Sequence, residues 1–243
     1  MPVDLKGQVM IVTGASKGLG RGLCKYFSNK GLNVIGIARD EEKGNSLKEE
    51  IEKSGGSFEF HKLDIRDFEG IKEFIKKVEE KWKRIDILVN NAAYVDWIDF
   101  CDLKKEDIDI QIDVNLKGPI YITRFVAPMM MKAKAGQIVN ITSIRAWFTH
   151  GDNGLYSASK HGFKAFSYSM AKMLRDYNIK VHTLRPGGMD TDIWQRGEYP
   201  YKREQLMSPE EVSEIIENIL KSGSTTVYSD ITFMPFVELH LMP

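Results

Sequence analysis

Short apolar runs alternate along this chain with longer stretches whose apolar residues recur every three or four positions. Val9-Met10-Ile11-Val12 is the first run, and it ends in glycine, which predicts a buried strand. Leu19, Leu23, Tyr26 and Phe27 follow at helical spacing. The same alternation predicts strands at Val34-Ile35-Gly36-Ile37, Phe58-Glu59-Phe60, Ile87-Leu88-Val89, Ile138-Val139-Asn140-Ile141 and 179–184. Helical stretches fall at 41–53, 67–83, 105–132 and 155–177. Ser208-Pro209-Glu210-Glu211 reads as a further helix start, with a capping serine, a proline in the first turn and Glu211 closing a capping box. Strands and helices alternating at these lengths predict an α/β fold, a doubly wound parallel sheet with helices on both faces. No repeat, low-complexity run or linker interrupts it, so residues 1–243 read as a single domain.

Composition narrows the partners. Lys+Arg and Asp+Glu both number 34, giving a formal net charge of zero. No global field therefore recruits nucleic acid or an anionic membrane. Apolar residues at 42% and charged residues at 28% match an ordinary water-exposed domain, and no run approaches the length of a membrane span. Cys24 and Cys101 form no CxxC pair and suggest neither a disulfide framework nor a metal site. The opening MPVDLKGQVMIVTG carries charge and glycine and does not read as a secretory leader, so a cytoplasmic location is expected.

Two places carry chemistry. Thr13-Gly14-Ala15-Ser16-Lys17-Gly18-Leu19-Gly20 joins the first predicted strand to the first helix. Glycines there let the backbone turn tightly and approach a ligand, and the helix N-terminus offers free N–H groups to a pyrophosphate. A bare tight turn would also use glycines, but the strand–turn–helix context favours a dinucleotide. The second strand ends in Arg39, where an NAD site usually has an acid. Arg39 can pair with a phosphate, and Lys17 adds a second cation, so NADP(H) is expected. Asp40 and Glu41 follow at once and keep NAD(H) as the alternative.

Tyr156-Ser157-Ala158-Ser159-Lys160 is the second place. In a helix, Tyr156 and Lys160 lie one turn apart on one face. A close ammonium would favour phenolate and lower the tyrosine pKa, giving a proton donor and acceptor near neutral pH. Such a pair is often only a helix surface. Here Ser143 follows the fifth predicted strand, and strand C-termini in such a sheet share one crevice with the glycine turn. A hydroxyl, a phenol and an ammonium beside a nicotinamide suit hydride transfer to a carbonyl.

With those residues in view, 8–192 resembles the short-chain dehydrogenase/reductase family. The matching pieces are TGASKGLG at 13–20, Asp64 in LDIRD, NNAA at 90–93, Asn115 in VNLKG, Ser143 in ITS, YSASK at 156–160 and RPGGMDT at 185–191. The resemblance implies a single Rossmann-type domain and a catalytic set of Asn115, Ser143, Tyr156 and Lys160. In it Tyr156 protonates the substrate oxygen, Ser143 holds that oxygen, Lys160 lowers the tyrosine pKa and bonds the nicotinamide ribose, and Asn115 supports a proton relay. It also implies a cofactor site from Gly14, Ser16, Lys17, Gly18, Leu19, Gly20, Arg39, Asp64, Ile65, Asn91, Ala92, Tyr156, Lys160, Pro186, Gly187, Met189 and Thr191. Asp64 would bond the adenine and Thr191 the carboxamide; as plainer alternatives, Asp64 caps a strand end and Asn115 kinks a helix. Ala93 stands where relatives often have glycine. The ending TTVYSDITFMPFVELHLMP replaces a glycine-rich one that helps build tetramers, which leaves homodimer and homotetramer both open.

Arg145, Trp147, Asn153 and Trp194 are the expected substrate contacts, with a lid near 192–207. Tyr94, Trp97, Phe148 and His150 belong to the same loops. Aromatic walls suit an apolar or ring-bearing carbonyl compound or alcohol, though several of these rings could simply pack the lid. The expected activity is NADP(H)-dependent interconversion of a ketone or aldehyde and an alcohol. A 3-oxoacyl-carrier-protein reductase and a catalytically silent NADP(H)-binding regulator are the alternatives, and a ligand-free structural protein is the remotest.

Overall fold

The computed structural model describes residues 3–149, 153–191, 200–223 and 225–241. The strands are β1 (Val9–Thr13), β2 (Asn33–Ala38), β3 (Ser57–Lys62), β4 (Ile87–Asn90), β5 (Gly136–Ile141), β6 (Ile179–Pro186) and β7 (Ile231–Phe233). The helices are α1 (Gly18–Asn29), α2 (Glu41–Lys53), α3 (Phe68–Trp82), α4 (Lys105–Ile112), α5 (Gly118–Ala133), α6 (Gly154–Leu174) and α7 (Pro209–Leu220). All strands join one parallel sheet in the order β3-β2-β1-β4-β5-β6-β7. This is the expected doubly wound, Rossmann-type architecture. The order reverses between β1 and β4, and in such a sheet the crevice for a ligand opens at the strand C-termini beside that reversal.

Alternate residues of β1 serve two cores. Met10 and Val12 pack with Leu23, Phe27 and Ile216 on one face, and Val9 and Ile11 pack with Ile75, Ile122 and Val126 on the other. Burial on both faces explains why the strands read as continuous apolar runs. The expected start of α7 holds: Ser208 caps it by accepting from Glu211 N, and the Glu211 carboxylate accepts from Ser208 N.

Two expectations change. The single helix read over 105–132 is two helices joined by a π-helical stretch at Asp113–Lys117, which contains Asn115. Apolar spacing is nearly the same across such a bulge, so the pattern hides it. A seventh strand, β7, pairs with the end of β6 at Leu184–Pro186. It has only three residues and no run long enough to announce it.

Candidate active site

The glycine turn closes as its residues require. Gly14 and Gly18 have φ of +71° and +52°, in the left-handed region open to glycine. A Cβ on Gly20 would lie 2.2 Å from the Gly14 carbonyl oxygen, so only glycine lets α1 start this close to β1. Next to the turn, the Thr13 hydroxyl accepts from the backbone amides of Asn91 and Ala92 at 3.0 and 2.9 Å. Asn91 Nδ2 donates back to the Thr13 carbonyl at 2.9 Å. Behind them, buried Asn90 donates to Asn140 Oδ1 on β5 at 2.8 Å. Thr13 thus fixes the Asn91-Ala92 loop against the turn, a role its place in the TGASKGLG motif did not reveal.

A cleft of about 670 Å³ runs from this turn to α6. Gly14, Ser16, Lys17, Gly18, Leu19, Arg39, Asp64, Ile65, Asn91, Ala92, Tyr156, Lys160, Met189 and Thr191 line it, as expected. Lys43, Leu63, Ala93, Tyr94, Val95, Ile141 and Thr142 also face it. Gly20, Pro186 and Gly187 are not on the lining; Gly20 packs against the Gly14 carbonyl and Asn91, and Gly187 against Met234 and Glu238.

The charges at the β2 end decide between the two acids and the two cations. The Asp40 carboxylate caps α2 by accepting from Lys43 N at 3.0 Å, and that bond holds its pKa below the usual range. Glu41 pairs with Lys62 at 3.0 Å. Arg39 and Lys17 are exposed at the cleft, and neither forms an ion pair with a described residue. The cations are therefore the groups free to meet an anion. At Asp64, burial works upward, but hydrogen bonds from Arg66 and the Arg39 charge outweigh it and keep the carboxylate ionised.

At the other end, Ser143 leaves β5 in extended backbone, its Oγ accepts from Arg145 N at 3.1 Å, and its hydroxyl acts on the Tyr156 phenol. Lys160 is 2% exposed, lies one turn after Tyr156 and donates from Nζ to the Ile141 carbonyl at 3.2 Å. Its Nζ lies 5.7 Å from the centre of the Tyr156 ring. Asn115 is brought to the same place by the π stretch. Its Oδ1 accepts from Tyr94 N at 2.8 Å, and its Nδ2 donates to the Tyr94 carbonyl and to Ser159 Oγ at 2.7 and 3.1 Å. Of the expected catalytic set, Tyr156 and Lys160 line the cleft, while Ser143 and Asn115 are not on its lining and Asn115 reaches α6 through Ser159.

The electrostatics differ from the sequence expectation that Lys160 lowers the Tyr156 pKa. Burial pushes the Tyr156 phenol up to about 12, and the opposing influences are the Ser143 hydroxyl and the Arg145 charge. Burial also brings Lys160 down to about 7. The Arg145 charge favours phenolate at Tyr156.

The expected substrate contacts divide. Asn153 caps α6: its Oδ1 accepts from Tyr156 N at 2.9 Å, while its Nδ2 donates to the Asp96 carbonyl at 2.8 Å. Both ends of its amide are committed to backbone, so it holds the catalytic helix and the 94–97 loop together. Trp147 is exposed and lies under the Arg185 guanidinium at 4.8 Å, and Arg185 is paired with Asp230 at 2.7 Å. Trp194, His150 and residues 192–199 of the expected lid lie outside the described residues.

A family profile described as short chain dehydrogenase matches residues 8–200. Over 237 residues the chain is 34% identical to a 3-oxoacyl-(acyl-carrier-protein) reductase of Thermotoga maritima, covering 93% of this chain and 96% of that protein. Among solved structures, it resembles a metagenomic short-chain oxidoreductase in complex with NADP at 30% identity and a TM-score of 0.82, covering 95% of this chain and 97% of the other. It also resembles the closed form of a serine dehydrogenase complexed with NADP+ at 27% identity and a TM-score of 0.84, covering 95% and 96%.

Proposed function

This chain belongs to the short chain dehydrogenase family and is an oxidoreductase of that family, and on that premise we propose that it interconverts a ketone or aldehyde and an alcohol with NADP(H). One observation carries the reading: Tyr156 and Lys160, one helical turn apart and 5.7 Å from Nζ to ring centre, line one end of a cleft whose other end offers a glycine-built turn and two cations.

The residues fit a dinucleotide. The cradle between Gly14, Gly18 and Gly20 excludes any Cβ and leaves amide N–H groups for a pyrophosphate. Lys17 and Arg39 would hold a 2′-phosphate, which the capping role of Asp40 leaves unopposed. Both NADP-bound neighbours support this choice. When bound, the nicotinamide supplies or accepts the hydride. Ser143 would hold the carbonyl oxygen by its hydroxyl, and Tyr156 would donate its phenolic proton to that oxygen as negative charge develops there. Lys160 would return a proton towards Tyr156, and Asn115, held by the Tyr94 backbone and Ser159, would support the relay that supplies it.

A 3-oxoacyl-carrier-protein substrate is the second reading, favoured by the Thermotoga maritima relative. For assembly we propose a homodimer or homotetramer, supported by the exposed apolar side chains of Phe68, Ile108 and Met173 on α3, α4 and α6. Among the described residues no helix is long and apolar enough to cross a membrane, and we propose a cytoplasmic location.

Oxidation of NADPH and NADH against ketones, aldehydes and 3-oxoacyl thioesters, free and carrier-linked, tests the reading. Turnover of free ketones or aldehydes with NADPH preferred supports it. Turnover of carrier-linked substrates alone transfers it to the second reading, and tight NADPH binding with no turnover makes the protein a binding module.

A further inference from the structure

The C-terminal segment that departs from the family's usual ending has no part in the chemistry above, yet it delivers one carboxylate to the interior. Glu238 is 1% exposed, and its Oε2 accepts from the Gly188 amide at 2.8 Å. One residue earlier, Gly187 N donates to the Phe233 carbonyl at 2.8 Å, continuing the pairing of β6 with β7. The approach is close: a Cβ on Gly187 would lie 2.2 Å from Glu238 Oε2 and 2.6 Å from Met234 Cβ. On its far side the same strand exit is held by Met207, whose N donates to the Gly188 carbonyl at 3.3 Å and whose carbonyl accepts from Asp190 N at 2.9 Å. The arch so formed ends at Thr191, whose side chain abuts the phosphate turn, 3.3 Å from where a Gly18 Cβ would stand.

A buried carboxylate is a costly way to fill this space. Burial drives its pKa up, against the pull of the Gly188 amide and the positive charges of Arg145 and His240. An apolar side chain would pack as well but would leave the Gly188 N–H without a partner. Resting on the dinucleotide reading above, we propose that Glu238 is a positioning residue of the cofactor site: it grips the Gly188 amide and so sets the 186–191 arch that presents Met189 and Thr191 to the cleft. The unusual ending of the chain is thus a strap on the cofactor site.

Two variants of the full chain separate reach from charge. Glu238→Gln keeps the length and an acceptor oxygen. Glu238→Asp keeps the charge but withdraws it by one methylene. NADPH affinity is read by fluorescence titration, and the Gly188 amide by hydrogen exchange. E238D is expected to weaken NADPH binding about tenfold and speed Gly188 exchange, with E238Q staying within about twofold of wild type. Wild-type binding in E238D, or equal loss in both variants with Gly188 still protected, overturns the proposal while leaving the dinucleotide reading intact. A wild-type protein that binds no NADPH overturns both.

Discussion

Asn153→Ala tests how the catalytic helix is held. The substitution removes two hydrogen bonds at a side chain only 8% exposed. Loss of the cap on Tyr156 N is worth about 1 kcal/mol. Loss of the bond to the Asp96 carbonyl removes about 1 kcal/mol more. The total, about 2 kcal/mol, corresponds to a fall of roughly 4–8 °C in melting temperature for a chain of this size. Asn153→Asp keeps the acceptor, and its charge suits a helix N-terminus, so about half of that loss should remain. Turnover should fall more than substrate affinity, because Tyr156 sits in the first turn that the cap fixes. Thermal melts of the three proteins, with kcat and KM beside them, provide the test. An alanine variant that melts with the wild type would refute the reasoning, and so would one whose loss lay wholly in KM.

Arg39→Ala should raise KM for NADPH roughly tenfold to a hundredfold, as expected on losing a charged hydrogen bond, while leaving KM for NADH nearly unchanged; equal shifts for both cofactors would remove the phosphate-binding role. His182 should make the fold acid-sensitive. Its Nε2 bonds Gln137 Oε1 at 3.1 Å and its Nδ1 accepts from Tyr228 N at 3.2 Å, so the ring is held neutral with no site for a second proton. Burial lowers its pKa from 6.5 to about 4. The unfolded chain therefore takes up a proton between those values and the native one does not, so stability is full above pH 6.5 and falls with pH by about 1.4 kcal/mol per unit down to 4. Urea midpoints from pH 7 to 4.5 should show this slope in the wild type, flattened in His182→Gln.

Much of this was legible because it rests on local rules. Strands buried on both faces read as apolar runs, the glycine turn announced itself by residues that alone tolerate its backbone, and Tyr156 and Lys160 fell on one helix face by period. What stayed hidden depends on contacts between distant segments. The π stretch that turns Asn115 towards Tyr94 leaves the apolar spacing unchanged. Asn153 looked like a pocket residue until its partners, Tyr156 N and the Asp96 carbonyl, were in place. The expected lowering of the Tyr156 pKa considered proximity to Lys160 and omitted burial, which dominates both groups. Glu238 carries no local signal, because its partner lies 50 residues away in sequence.

The measurement that tests the central claim most directly is Tyr156→Phe, assayed for NADPH affinity and for turnover on whichever carbonyl substrate the wild type reduces. The account predicts unchanged NADPH affinity and turnover reduced by at least about a hundredfold, as expected on removing a general acid. Substantial turnover in the phenylalanine variant would show that another group protonates the substrate and would contradict the mechanism.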